Sequence, residues 1–240
     1  ALDHGCPCQV KGAIACDLGF RSSITEMKMA AEESRCDADE REALLAELHH
    51  RVKNNAQATN SFLGLQANRA SNPAVAAALR GAAMRIMLAT LVQDRMFRVM
   101  GDAGIELGPE LDATARAALE IVGRPRVRLE TQLERGIHLP VAQATPLALI
   151  VSELVVNAAR HAFPEDRPGC IRLSLRRAGP ELGEMVVEDD GIGLPEPMGR
   201  NTPQGCLGLH LMPRLARQIR ASLHLESGSG TRASLQFALT

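Results

Sequence analysis

The stretch Glu47-Leu-His-His-Arg-Val-Lys-Asn-Asn55 places two adjacent histidines inside a helical pattern. At about 100° per residue, one stripe of this helix carries the side chains of Leu45, Leu48, Val52, Thr59 and Leu63. His50 points almost directly away from that stripe, and His49 lies near its edge. Two histidines on an amphipathic helix are also consistent with a solvated face and a boundary residue, so their meaning depends on the rest of the chain.

The residues around this stretch predict a helical hairpin. Residues 24–69 are mostly helix formers, and Ala70-Ser-Asn-Pro73 is typical of a helix stop followed by a turn. Helical spacing of apolar residues resumes at Ala74 and runs to Met100. Because a lone hairpin buries its apolar face poorly, we expect two copies of the chain to form a dimeric four-helix bundle.

The rest of the chain mixes helix and strand patterns. The patterns predict helices at 111–122, 146–161 and 207–219, and strands at 127–133, 171–175, 184–189, 222–225 and 232–237. This order predicts an α+β fold in which helices cover a sheet as an α/β sandwich. We therefore expect an unassigned tail or linker at residues 1–37, the hairpin domain at 38–104 and the sandwich domain at 105–240.

Charge and hydropathy exclude some classes of partner. The 240 residues include 27 lysines and arginines against 28 aspartates and glutamates, a formal net charge of -1. This balance lacks the basic footprint of a nucleic-acid-binding protein, so we expect no nucleic-acid partner. The most apolar run, Pro146–Ala159, is short and interrupted by polar residues, so we expect no direct membrane insertion and a cytoplasmic location.

The cysteines and the first residue indicate the context of the chain. Six cysteines are too few for a disulfide framework in a chain of this size, which favours a reducing compartment. Cys6, Cys8 and Cys16 cluster without a matching histidine pair, so they are weak candidates for a metal site. The chain begins at Ala1 without the pattern of a signal peptide, and we expect a fragment or processed product.

The predicted helix at 146–161 carries a polar face on an apolar background. Glu153, Asn157, Arg160 and His161 are three or four residues apart or adjacent, and they share one side of the helix. An asparagine carbonyl oxygen is a suitable ligand for a Mg²⁺ ion that also binds phosphate. Such a face can line a pocket, although glutamate and asparagine are also common on solvated helices.

A short apolar strand runs into an acidic, glycine-containing loop at Met185–Pro195. Asp189 occupies the first position of a D-x-G-x-G pattern, where a carboxylate can accept a hydrogen bond from the amine of adenine. Gly191 and Gly193 allow a ligand to approach the backbone closely. Gly205-Cys-Leu-Gly-Leu209 then opens a helix, where free N–H groups favour phosphate. Alone, these pieces are also consistent with an acidic turn and a helix start.

The order of the pieces is more specific than any one of them. The asparagine helix is followed by a strand, by Glu188-Asp-Asp-Gly-Ile-Gly-Leu-Pro195, by the glycine helix start and by Ser227-Gly-Ser-Gly-Thr231. In this order, residues 107–240 resemble the GHKL class of ATP-binding domains found in sensor histidine kinases. His49–Asn55 and Gly64–Ala67 resemble the dimerisation and phosphoacceptor domain of the HRxKN-type kinases, the sister group of the HWE kinases. The chain has no tryptophan, so the signature of the HWE kinases themselves is absent.

The resemblance implies an ATP-dependent protein histidine kinase that phosphorylates itself and passes the phosphoryl group to an aspartate of a response-regulator receiver domain. ATP and Mg²⁺ are the implied cofactors. His50 is the implied phosphoacceptor, with His49 as the alternative, while Glu153 and Asn157 are implied to hold magnesium and Asp189 to contact adenine. The nucleotide-binding loops are implied to include Arg160, His161, Gly191, Gly193, Gly205, Leu207, Gly208 and Thr231.

Two further residues of the histidine helix are candidates, and other functions remain open. Glu47 lies one turn before His50 and could polarise its second ring nitrogen, or it could be a solvated glutamate. Lys53 could attract phosphate or simply face water. The alternatives are a phosphotransfer or scaffold protein that does not use ATP and another GHKL ATPase, such as a serine kinase acting on an anti-sigma partner.

Overall fold

The structure is a computed structural model that describes residues 43–99, 104–194 and 207–239. For residues 207–210 it describes the backbone only. The expected tail at 1–37, with its four cysteines, therefore lies outside the described residues. The chain divides into two compact units, one up to Val52 and one from Lys53 onward.

Two helices form the hairpin expected from the sequence. Helix α1 spans residues 43–69 and helix α2 spans Pro73–Arg98. Asn72 caps α2, because its side-chain oxygen accepts a hydrogen bond from the Ala74 N–H at 2.8 Å, and Pro73 occupies the first helical position. The predicted stop and restart at 70–73 are therefore confirmed, with α2 starting at Pro73 rather than at Ala74.

The second part of the chain combines three longer helices with a sheet. In chain order the elements are β1 (Ile105–Glu106), α3 (Leu107–Val122), β2 (Val127–Leu133), β3 (His138–Leu139), α4 (Val141–Asn157), β4 (Gly169–Gly179), β5 (Leu182–Asp189), α5 (Leu207–Gln218), β6 (Ser222–Gly228) and β7 (Gly230–Ala238). Strand β2 has the predicted bounds, while β4 to β7 run longer than predicted. The short antiparallel pair β1 and β3 was not predicted, because two residues carry no periodic pattern.

Helix α4 differs most from its prediction. It starts at Val141, so Pro146 lies inside the helix instead of opening it. Proline usually marks a first turn because it lacks an N–H donor. Here Pro146 is buried in the core, and the helix starts after Pro140, whose carbonyl oxygen accepts hydrogen bonds from the N–H groups of Gln143 and Ala144.

The five-stranded sheet has the order β2-β4-β5-β7-β6. Strands β2 and β4 pair in parallel, and the other neighbouring strands pair antiparallel. Burial alternates along β7, where Ala233, Leu235 and Phe237 are buried in the same core as apolar residues of α3 and α4. One face of the sheet is thus covered by helices, which confirms the predicted α+β sandwich.

Helix α4 lies at the centre of this unit and contacts α2, α3 and α5. By length and composition alone, α2 and the stretch Val141–Ala162 could each cross a membrane, which differs from the expectation drawn from the sequence. The two differ in burial, since 67% of the most apolar window of Val141–Ala162 is buried, against 22% for α2. Burial in the core explains the apolar composition of α4.

Candidate functional site

Helix α4 does not end at Asn157 but continues as a single π-helical turn, Ala158–Ala162. Such turns leave carbonyl groups without their usual partners and often occur at functional sites. The guanidinium group of Arg124 donates hydrogen bonds to the carbonyl oxygens of Ala159, at 2.9 Å, and Phe163, at 2.7 Å. Arg124 therefore holds the chain that follows Asn157, a role that no local sequence pattern indicated.

Asp189 lies at the end of β5, and two backbone groups hold its side chain. Its Oδ1 atom accepts hydrogen bonds from the N–H groups of Gly191, at 3.0 Å, and Thr231, at 3.2 Å. The second oxygen, Oδ2, accepts none from the described residues and remains available to a ligand. The structure thus brings together three of the residues singled out in the sequence, and Thr231 contributes through its backbone.

The glycine loop after Asp189 lies directly on the π-helical turn. A Cβ atom on Gly191 would lie 2.4 Å from both the Cβ and the carbonyl oxygen of Ala162. That same oxygen accepts a hydrogen bond from the Ile192 N–H at 3.0 Å. Gly193 has a φ of +75°, which favours glycine. The loop therefore packs closely on the asparagine helix, an arrangement we call the cradle, because a side chain at Gly191 would collide with Ala162.

Gly230 is a part of this cradle that the sequence analysis did not single out. It has a φ of +140°, and a Cβ atom there would lie 1.9 Å from the carbonyl oxygen of Asp189. The close approach of β7 to the end of β5 brings the Thr231 N–H within reach of Asp189. The sequence indicates this region only through the Ser227–Thr231 run, which contains two glycines. The pairing of β7 with β5 shows that Gly230, and not Gly228, approaches Asp189.

We expect Gly230→Ala to lower the free energy of unfolding by about 2 kcal/mol, because the new methyl group meets backbone atoms and the backbone is strained. Gly228→Ala is the matched control on the neighbouring strand, since nothing lies within 4 Å of its Cβ position. Urea denaturation of both variants measures the difference. Equal stabilities for the two variants would contradict the close approach.

The four candidates predicted for the polar face have different surroundings, and Arg160 and His161 lie in the π-helical turn instead of in α4. Glu153 is buried and accepts a hydrogen bond from Arg85 of α2, with 3.1 Å between Arg85 Nε and Glu153 Oε2. Asn157 is half-buried, and its carboxamide makes no hydrogen bond with other described residues. Burial, followed by repulsion from Arg85, lowers the pKa of Arg160, and burial also lowers the pKa of His161.

The two histidines of α1 differ in exposure. His50 is exposed and His49 is half-buried, and their ring centroids lie 6.5 Å apart. Glu47 is bound by Arg51 along the helix, since its Oε1 atom accepts hydrogen bonds from Arg51 Nε at 3.0 Å and Nη2 at 2.6 Å. The structure thus pairs Glu47 with Arg51, and among the described residues no hydrogen bond joins Glu47 to His50.

The remaining candidates from the sequence are Lys53 on α1 and the glycine-containing stretch at the start of α5. Lys53 pairs with Asp94 of α2 at 3.4 Å and lines a surface groove between the hairpin helices. Gly205 lies outside the described residues, while Leu207 and Gly208 form the first turn of α5. No group of three or more histidine, cysteine, aspartate or glutamate residues in the described ranges is arranged to hold a metal ion.

Comparison with known proteins identifies both parts of the chain. A family model described as "Histidine kinase" matches residues 47–121, and one described as "Histidine kinase-, DNA gyrase B-, and HSP90-like ATPase" matches residues 142–240. The first match contains both histidines of α1. The second contains α4, Asp189 and the glycine loop.

Relatives and solved structures agree with these matches. The chain is 29% identical to Blue-light-activated histidine kinase 2 of Erythrobacter litoralis over 221 residues, which is 90% of this chain and 62% of the relative. It is 35% identical to Sensor histidine kinase PdtaS of Mycobacterium tuberculosis over 65% of this chain, but spans only 31% of that relative. The solved histidine kinase domain of the Erythrobacter litoralis EL346 blue-light activated histidine kinase has the same fold, with a TM-score of 0.59, 24% identity, and coverage of 78% of this chain and 94% of that one.

The chain thus combines a helical hairpin that matches the histidine kinase family model with a domain that matches the histidine kinase-, DNA gyrase B- and HSP90-like ATPase model, and these are the two domains of a protein histidine kinase.

Proposed function

We propose that this chain is an ATP-dependent protein histidine kinase module that phosphorylates itself on His50 and passes the phosphoryl group to an aspartate of a response-regulator receiver domain. The observation that carries the proposal is the arrangement at Asp189. Two backbone amides hold one oxygen of its carboxylate, and no described residue donates a hydrogen bond to the other, in a glycine cradle beside the asparagine helix. This arrangement fits the amine of adenine.

The residues around the cradle also fit magnesium and phosphate. Asn157 offers a carboxamide oxygen without net charge, and Mg²⁺ commonly takes few protein ligands besides water and substrate phosphates. We infer that Asn157 and Glu153 would hold this ion, which when bound neutralises charge on the phosphates. Thr231 and the helix start at Leu207 and Gly208 complete the proposed nucleotide site, and Gly205 precedes them.

In the proposed reaction an unprotonated ring nitrogen of His50 attacks the γ-phosphorus of ATP. A phosphorus–nitrogen bond forms, the bond from the γ-phosphorus to its bridging oxygen breaks, and ADP leaves with that electron pair. The second ring nitrogen then releases its proton to solvent. A receiver-domain aspartate later attacks the same phosphorus and frees the imidazole. His50 is exposed, as both steps require.

The apolar surface of α1 supports a homodimer. Leu45, Leu48 and Val52 form part of the predicted stripe, yet each is at least half exposed in the single chain, at 51%, 59% and 52%. Further along the helix Phe62 and Leu65 are also exposed. Exposed large apolar side chains of this kind are typical of a protein interface. We infer that a second copy covers it in a four-helix bundle, in a module that works in the cytoplasm.

Labelling with ATP tests the proposal directly. The chain is incubated with γ-labelled ATP and Mg²⁺, and the labelled protein is then treated with acid and with alkali. We expect label that is lost in acid and kept in alkali, because the phosphorus–nitrogen bond is acid-labile. Acid-stable label would indicate a serine or threonine kinase. Absence of Mg²⁺-dependent ATP binding would instead favour a phosphotransfer scaffold.

A further inference from the structure

Helix α2 of the hairpin brings a guanidinium group to the polar face of α4. The Nε atom of Arg85 lies 3.1 Å from Glu153 Oε2, and the two side chains are 22% and 5% exposed. The terminal nitrogens of Arg85, Nη1 and Nη2, donate to no other described residue. Arg85 therefore binds Glu153 through Nε, and both of its terminal nitrogens can donate hydrogen bonds to another acceptor.

A second guanidinium group lies close to the first. The Nη1 atoms of Arg160 and Arg85 lie 3.6 and 3.7 Å from the position that a Cβ atom would take on Gly81. Gly81 is buried in α2, so the two arginines meet at a point where this helix has no side chain. One carboxylate, that of Glu153, faces two guanidinium groups, and the cluster has an excess of positive charge.

This excess has an electrostatic cost. Burial and repulsion from Arg85 lower the pKa of Arg160, only partly offset by Glu153. Burial, together with repulsion from Arg160 and Arg85, lowers the pKa of His161. An anion bound between these groups would relieve the repulsion. Asn157 follows Glu153 by roughly one helical turn, about 5.4 Å, so a phosphate held there would lie near the carboxylate that Arg85 binds.

We propose that Arg85 is a phosphate-binding residue of the nucleotide site, supplied by the hairpin helix, and that it contacts the terminal phosphate of ATP. This inference rests on the proposed function. The free edge of a guanidinium group matches two oxygens of a phosphate, which a lysine ammonium cannot reproduce. The contact exists only while α2 lies on α4, so the hairpin takes part in distinguishing ATP from ADP.

Calorimetric titration with Mg²⁺-ATP and with Mg²⁺-ADP tests this role. For Arg85→Gln we expect the affinity for ATP to fall roughly tenfold or more, because a charge-assisted contact is lost, while the affinity for ADP changes less than about twofold. Arg85→Lys keeps the charge without the planar fork, so its affinity for ATP should lie between those of the unsubstituted chain and Arg85→Gln. Melting temperatures of the variants show whether each chain is folded before titration.

Arg95→Gln is the matched control. Arg95 lies on the same helix and pairs with the buried carboxylate of Glu110 on α3, at 3.0 Å, away from the polar face of α4. We expect this variant to bind both nucleotides normally. An equal loss in both arginine variants would show that only the docking of α2 matters and would overturn the inference.

Three further results would overturn the inference: equal losses for ATP and ADP in Arg85→Gln, no loss for either nucleotide, or tighter ATP binding. Failure of the proposed function looks different. The unsubstituted chain would then bind ATP, and Arg85→Gln would bind it more weakly as expected. The labelling experiment with the unsubstituted chain, however, would give no acid-labile phosphate.

Discussion

Replacing His50 with alanine should abolish acid-labile labelling by γ-labelled ATP, whereas His49→Ala should keep most of it. His50 is exposed on α1, so its ring nitrogens can reach a nucleotide brought to the helix surface. His49 is half-buried and makes further contacts, so its ring is less accessible to an incoming phosphate. The two substitutions change the same kind of residue on the same helix, which makes each the control for the other.

Folding should be preserved in both histidine variants. Alanine favours helices by a few tenths of a kcal/mol relative to histidine, and neither ring is fully buried. Circular dichroism and ATP affinity should therefore match the unchanged chain. Label that survives in His50→Ala and disappears in His49→Ala would move the phosphoacceptor by one residue. Label that survives in both would place it elsewhere in the chain.

Replacing Asp189 with asparagine should lower the affinity for ATP by about 100-fold, equivalent to about 2.7 kcal/mol. The asparagine oxygen can still accept the hydrogen bonds from Gly191 and Thr231, so the loop should keep its shape. The amide nitrogen then takes the place of Oδ2 and presents a donor to the amine of adenine. Two donors that face each other in a half-buried site leave both without a partner.

The neighbouring residue supplies the control for this substitution. Asp190 is also half-buried, and its Oδ1 atom accepts a hydrogen bond from the Cys170 N–H at 2.8 Å. Asp190→Asn can keep that bond and should bind ATP normally. A purine with an oxygen in place of the amine tests the chemistry further, since Asp189→Asn should lose less affinity for inosine triphosphate than for ATP. Equal losses for both nucleotides would place adenine elsewhere.

Much of the fold was predictable because it depends on local patterns. The turn at 70–73 contains its own capping residue and proline, and strand β2 matched its predicted bounds. The sequence did not predict elements whose pattern is very short or helix starts for which a proline indicated another position. The β1 and β3 strands have two residues each, and α4 starts after Pro140 although the sequence offered Pro146 as the first helical residue.

The residues of the candidate site also divide into those that a local motif indicates and those that only the packing of distant segments brings together. Asp189, Gly191 and Asn157 were recognisable because each lies in a compact motif whose order along the chain is informative. Arg85 and Arg124 were not recognisable, since each acts on a segment far away in the sequence and neither lies in a motif. Gly230 lay within a quoted motif, but only the pairing of β7 with β5 shows which of its glycines meets Asp189.

The sequence by itself determined the class of elements, their order and the chemistry available at the histidine, asparagine and aspartate motifs, because helical and strand periodicity and residue type are local properties. Tertiary structure alone decided which groups meet those motifs. Arg85 reaches Glu153 and Arg124 reaches Ala159 because α2 and the end of α3 pack on α4. Such contacts depend on how separate elements pack against one another, and no spacing along the chain records that packing.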